Sequence, residues 1–253
     1  MRWTSVVHTG LCPTIVSRSS IITADNRSGS SVVNCCLNTH MLVSHQHRVI
    51  FTHIPKTAGT SIRAWFHQHV PDTVAVGHKH QTPHHVTERF SGYDHFCVVR
   101  NPYDRLLSHY HFHVERYKAY LLERSRRKQK PIYHEVFAKL RQGFEHWLTD
   151  PYPMANRQAD WYDYRWCPQA VWCTDHTHVL KFETLAQDFR WVQDRVGVRE
   201  PLEPMGATAA DTDHTTAKNR VLLAPHRQLI QSHLMVDFVR FAYQPDFDRS
   251  GKL

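Results

Sequence analysis

Hydrophobic positions along this chain alternate between short continuous runs and stripes at helical spacing. Residues 48–54 bring Val49, Ile50, Phe51 and Ile54 together, and that β-branched and aromatic content predicts a buried strand. After the loop Pro55-Lys56-Thr57-Ala58-Gly59-Thr60-Ser61, the residues Ile62, Trp65, Phe66 and Val70 fall on one helical face until Pro71 ends it. Val74-Ala75-Val76 predicts a second strand and His95-Phe96-Cys97-Val98-Val99 a third. Beyond Arg100-Asn101-Pro102, a long helix is expected from Tyr103 into the basic stretch that opens at Arg124. Val136, Phe137, Leu140, Phe144, Trp147 and Leu148 mark another amphipathic helix. Residues 178–182 read as a fourth strand, followed by a helix ending near Gly197, and Ile230, Leu234, Phe238 and Phe241 line a closing helix. Strands alternating with helices predict a single-domain α/β fold with a P-loop-like, mostly parallel sheet flanked by helices.

The pattern starts late. Residues 1–47 are rich in Ser, Thr and Asn and carry no usable period, so they read as a leader, with the folded domain over 48–253. The one weakly apolar stretch there, residues 5–16, is broken by His8, Gly10 and Pro13, which argues against a secretory signal. Met41 stands just before the first strand and is a candidate start of translation.

Composition narrows the class. Over 253 residues, 31 Lys and Arg against 23 Asp and Glu give a net charge of +8, with 22 histidines besides. A hydrophobic content of 41% is that of a globular chain. No apolar run approaches the roughly 20 residues needed to span a bilayer. The six cysteines form no CxxC pair and are expected as reduced thiols, Cys97 buried in its strand; Cys167 and Cys173 could pair if the protein were secreted. The positive excess points to an anionic partner without locating it.

Two strand-to-helix loops supply the location. In the first, free N–H groups and a helix N-terminus aim positive charge at an anion; Lys56 adds a full charge and Thr57, Thr60 and Ser61 add hydroxyls. The order is not Walker A, because Lys56 precedes Gly59 rather than following the second glycine. In the second, Arg100 stands at the carboxyl end of its strand, where open α/β sheets bind ligands, and its planar fork suits a phosphate. Arg100 pairing with Asp104 is the simpler alternative.

Together, His53-Ile54-Pro55-Lys56-Thr57-Ala58-Gly59-Thr60-Ser61 and Val98-Val99-Arg100-Asn101-Pro102-Tyr103-Asp104-Arg105-Leu106-Leu107-Ser108 resemble the sulfotransferases that use 3′-phosphoadenosine 5′-phosphosulfate (PAPS). The resemblance is to the branch with heparan sulfate 2-O-sulfotransferase-like and bacterial carbohydrate enzymes, and it runs over about residues 48–245. It implies that Lys56, Thr57, Ala58, Gly59, Thr60 and Ser61 hold the phosphosulfate, and that Arg100 and Ser108 bind the 3′-phosphate. It also implies a histidine base after the second strand, where Gly77-His78-Lys79-His80 lies; His80 is the first choice and His78 the reserve. Lys181, Glu183, His214, Thr215 and Lys218 are looser candidates for the donor site. PAPS is thus the expected donor and no metal is expected, although His78, His80, His84 and His85, or His109 and His113, could in principle ligate one.

The acceptor implied is a hydroxyl, on a carbohydrate or glycan rather than nucleic acid. The aromatic stretch with Tyr152, Trp161, Tyr162, Tyr164, Trp166 and Trp172 beside Arg157 and Arg165 is either a sugar platform or core. Residues 124–130 are either a solvated helix end or a guide for a polyanion. A cytoplasmic enzyme is the expectation, with the Golgi lumen the alternative if an N-terminal anchor belongs to the protein. The competing readings are a nucleotide-dependent phosphotransferase and a non-catalytic polyanion-binding protein.

Overall fold

A computed structural model describes residues 41–77, 82–83, 89–122, 131–150, 164–205 and 212–246. Among the described residues, five strands form one mixed sheet: β1 (Met41–Ser44), β2 (Val49–Thr52), β3 (Thr73–Val76), β4 (Asp94–Val99) and β5 (Thr177–Lys181), in the order β3-β1-β2-β4-β5. The β2–β4 and β4–β5 pairings are parallel, while β1 is antiparallel to both β2 and β3. Four strands therefore run one way and β1 alone opposes them. The helices are α1 (Gly59–His69), α2 (Pro102–Leu122), α3 (Pro131–Gln142), α4 (Phe144–Thr149), α5 (Leu185–Asp188), α6 (Arg190–Val196), α7 (Ala217–Leu223) and α8 (Arg227–Arg240).

The α/β architecture is as expected, with one correction of boundary. Met41–Ser44 falls inside the stretch read as leader, yet all four residues are buried in the sheet. The ordered domain reaches back at least to Met41, not only to residue 48. Only four residues long, β1 is too short to show a period, and the turn 45–48 that follows is polar. Residues 1–40 lie outside the described set. Two further differences are local. The amphipathic stretch 136–148 is two helices, because Gly143 at φ 112° separates α3 from α4. α7 was not anticipated; its Thr216 N-cap accepts the Asn219 N–H at 3.3 Å.

The core lies on both sides of the sheet. On one, Ile62, Trp65 and Phe66 of α1 pack with Phe51, Phe96, Phe189 and Val192. Burying each such side chain contributes about 1.5–3 kcal/mol. On the other, Cys97 and Val99 of β4 pack with Ile54, Ala170, Trp172 and Phe241, and a further cluster joins Tyr103, Leu106 and Leu107 of α2 to Trp147 and Leu148 of α4 and Ile230, Leu234 and Phe238 of α8. These packings hold the N-terminal ends of α1 and α2 against the carboxyl ends of β2 and β4.

Candidate active site

The loop after β2 is built tightly. Thr57 is buried and its hydroxyl donates to the Ile54 carbonyl at 2.9 Å, closing the turn. Lys56 (φ 70°) and Ala58 (φ 67°) are both left-handed, a conformation that costs a non-glycine residue about 1–2 kcal/mol. Gly59 is dictated by space: a Cβ there would meet the His53 ring at 2.1 Å. Ala58 is the N-cap of α1 and offers no side-chain acceptor, and the first turn holds no acidic residue. The N–H groups opening α1 therefore receive no cap from the Ala58 side chain. Ser61 accepts the Met205 N–H at 2.8 Å, tying α1 to the 200–205 segment, while Thr60 is exposed. A cavity of about 230 Å³ opens beside Ser61, lined also by Trp65, His69, Glu200 and Met205.

Lys56 sits under α2. Its Nζ lies 4.3 Å from the centre of the Phe112 ring, and Arg116 approaches the same ring at 4.8 Å. Burial, then the charges of Arg100 and Arg116, lower the Lys56 pKa to about 8. The cations of the two sequence elements therefore converge, close enough for one to perturb the other. An incoming anion would relieve that repulsion.

Arg100 is only 5% exposed. Its guanidinium lies 4.0 Å over the Phe182 ring and donates through Nη2 to Thr212 Oγ1, while its buried Nε has no hydrogen-bond partner among the described residues. Desolvation pulls its pKa down against the attraction of Asp104 and Glu183. The alternative of a local Arg100–Asp104 pair does not describe the contacts: Asp104 Oδ1 accepts the His214 backbone N–H and lies 2.7 Å from His214 Nδ1. The main chain of Arg100 is clamped by Gln169, whose Oε1 accepts the Arg100 N–H at 2.9 Å and whose amide donates to the Arg100 carbonyl at 2.8 Å. Asp237, wholly buried on α8, accepts in turn the N–H groups of Gln169 and Ala170 at 2.8 and 2.9 Å. Asn101 caps α2 by accepting the Tyr103 N–H at 2.9 Å. Ser108 lies two turns along α2, partly exposed.

The looser candidates divide. Glu183 is a latch, accepting the Asn101 N–H at 2.7 Å and the Tyr243 hydroxyl at 2.8 Å, with Lys181 Nζ 4.9 Å from the Tyr243 ring centre. His214 belongs to the Asp104 contact, whereas Thr215 closes a turn on Asp213 and Lys218 is exposed on α7. Asp104, Asp213 and His214 place ligand-type atoms within 4.8 Å of one another among the described residues, and hydrogen bonding accounts for the contact of His214 with Asp104. His109 and His113 face each other at 4.7 Å between ring centres; burial and nearby cations hold both pKa values down, His113 to about 3. His78, His80, His84 and His85 lie outside the described residues, as do Tyr152, Arg157, Trp161, Tyr162 and the basic run 124–130.

Of the aromatic stretch, the described members are packed. Trp172 is buried, Tyr164 lies against it at 6.1 Å, Trp166 meets His233 at 4.5 Å, and Arg165 donates to the Leu148 and Asp150 carbonyls at the end of α4. Sequence reasoning missed Phe112, Arg116, Gln169, Phe182 and Thr212. Asp237 did carry a signal, as a charge on the otherwise apolar face of Ile230, Leu234 and Phe238.

The sequence model of the sulfotransferase family matches residues 39–249. Carbohydrate sulfotransferase 11 of Mus musculus and of Rattus norvegicus are each 24% identical over 242 residues, covering 81% of this chain and 67% of the relative. No solved structure is significantly similar. With both loops inside the matched span, the chain belongs to the sulfotransferase family.

Proposed function

We propose that the protein transfers a sulfuryl group from PAPS to a hydroxyl on a carbohydrate. The single observation that carries this reading is the convergence of half-buried Lys56 and buried Arg100 at the carboxyl ends of two adjacent parallel strands, the first beside a helix N-terminus without a side-chain cap. Such a pair suits a donor with phosphate at both ends better than one with a single phosphate chain. In this reading Lys56, the N–H groups of residues 57–61 and the Thr60 and Ser61 hydroxyls hold the phosphosulfate. Arg100 and Ser108 hold the 3′-phosphate. The acceptor oxygen attacks sulfur as the bond from sulfur to the bridging phosphate oxygen breaks, and Lys56 stabilises the charge left on that oxygen.

The acceptor proton goes to His80, with His78 in reserve. Support for a base there comes from strand direction. Because β1 opposes both neighbours, β3 runs parallel to β2, so the chain leaves Gly77 at the same edge of the sheet as the Lys56 loop. Two strand spacings of about 4.8 Å separate the two exits. A carbohydrate acceptor is the reading favoured by the names of the two relatives.

Calorimetry with 3′-phosphoadenosine 5′-phosphate, ADP and heparin tests the proposal. The expected result is selective binding of the bisphosphate, weakened about 10- to 100-fold in Arg100→Ala. Equal binding of ADP would point to a phosphotransferase, and binding of heparin alone to a polyanion-binding protein; either would overturn it.

A further inference from the structure

Cys97 of β4 and Cys173, just after the 169–172 turn, bring their sulfur atoms to 3.3 Å although they stand 76 positions apart in sequence. Both side chains are buried, at 0% and 3% exposure, within a cluster that includes Ile54, Val99, Ala170 and Trp172. The pair occupies a telling place. Cys97 lies three residues before Arg100, and Cys173 follows the turn whose Gln169 grips the Arg100 main chain from both sides. From this geometry we infer that Cys97 and Cys173 are a disulfide-forming pair, and that their bridge staples the anion-binding end of β4 to the turn that clamps it.

The sequence reads the cysteines as reduced thiols, with Cys167–Cys173 the pairing open to a secreted protein. In the fold it is Cys97, from a neighbouring strand, that meets the Cys173 sulfur. Bonding requires the sulfurs to close from 3.3 Å to about 2.05 Å. The oxidant is a small-molecule disulfide. One protein thiolate attacks it and releases a thiol; the second thiolate attacks the mixed disulfide and releases another. The net exchange turns two protein thiols and one small disulfide into one protein disulfide and two small thiols. Both thiols are buried, and the Cys173 contact, then burial, raise the Cys97 pKa in the folded chain, so exchange belongs to the period before β4 is sealed between its neighbours. Once formed, the bridge is shielded from reductant by the same packing. The pairing does not depend on the donor or the acceptor proposed above.

Refolding the full chain with oxidised glutathione, alkylating remaining thiols and mapping the peptides tests it. The expected product links the Cys97 peptide to the Cys173 peptide, with a melting temperature about 5–10 °C above that of the reduced protein. Cys167→Ser should keep both features, and Cys97→Ser should lose both. A Cys167–Cys173 peptide, or full alkylation of Cys97 and Cys173 in the refolded wild-type protein, would overturn the inference without bearing on sulfuryl transfer.

Discussion

Lys56 is a cation set among other cations. Its ammonium lies over the Phe112 ring and feels the charges of Arg100 and Arg116, and with burial these bring its pKa to about 8. The cation is the form that binds phosphate, so the sign follows directly. Below pH 8 the free protein carries the charge, and above it the charge is lost. The affinity for 3′-phosphoadenosine 5′-phosphate should therefore be flat from pH 6.5 to 7.5 and fall toward tenfold per pH unit above about 8. Lys56→Arg should carry the flat region higher, because guanidinium stays protonated. A titration by calorimetry checks this, and an affinity unchanged through pH 9.5 in the wild-type protein would contradict it. Lys56 and Arg100 were both legible in the sequence, because a short loop between a hydrophobic run and a helical stripe fixes their place. Phe112 and Arg116 were not, since α2 shows which residues share a face but not which loop that face meets.

Elements, more than single residues, position Arg100. The corner between β4 and α2 is held by Asn101 as cap, by Glu183 from beyond β5, and by Gln169, which Asp237 holds in turn. Removing the last of these exposes the dependence. Asp237→Ala leaves the Gln169 and Ala170 N–H groups without their acceptor, at about 1–3 kcal/mol each. Denaturant unfolding should show a loss of about 2–5 kcal/mol, and bisphosphate binding should weaken with it; a loss below about 0.5 kcal/mol would show that the clamp is not needed. This network was illegible in advance because its members lie far apart in sequence and each is unremarkable locally. β1 was missed for a related reason: its four residues gain their stability by pairing on both sides, which no local pattern reports. The parallel core β2–β4–β5 was legible, since each strand is a distinct apolar run.

At the scale of the molecule, the +8 charge and 22 histidines divide into different roles. Some histidines are structural. His95 sits between Thr52 and Thr177 at 2.6 and 3.0 Å, and burial lowers its pKa to about 4; His113 accepts the Trp147 indole N–H at 2.9 Å, with a pKa near 3. Their ordinary value is about 6.5, so the unfolded chain takes up protons first as pH falls. The stability they contribute is complete above pH 6.5 and is lost on the way down to about pH 4 for His95 and about pH 3 for His113, at about 3 kcal/mol for His95 alone. Thermal melts at pH 7 and pH 4.5 should show a fall of several degrees; identical melts would contradict the assignment. Family membership rests on the whole matched span, and the central claim about its chemistry is tested most directly by transfer itself. With radiolabelled PAPS and a panel of glycans, the wild-type protein should move label to a carbohydrate hydroxyl, and Lys56→Ala should lower kcat about 100- to 1,000-fold. Failure of the folded, bisphosphate-binding protein to label any glycan would contradict a carbohydrate acceptor, and undiminished transfer by Lys56→Ala would contradict the role given to the loop.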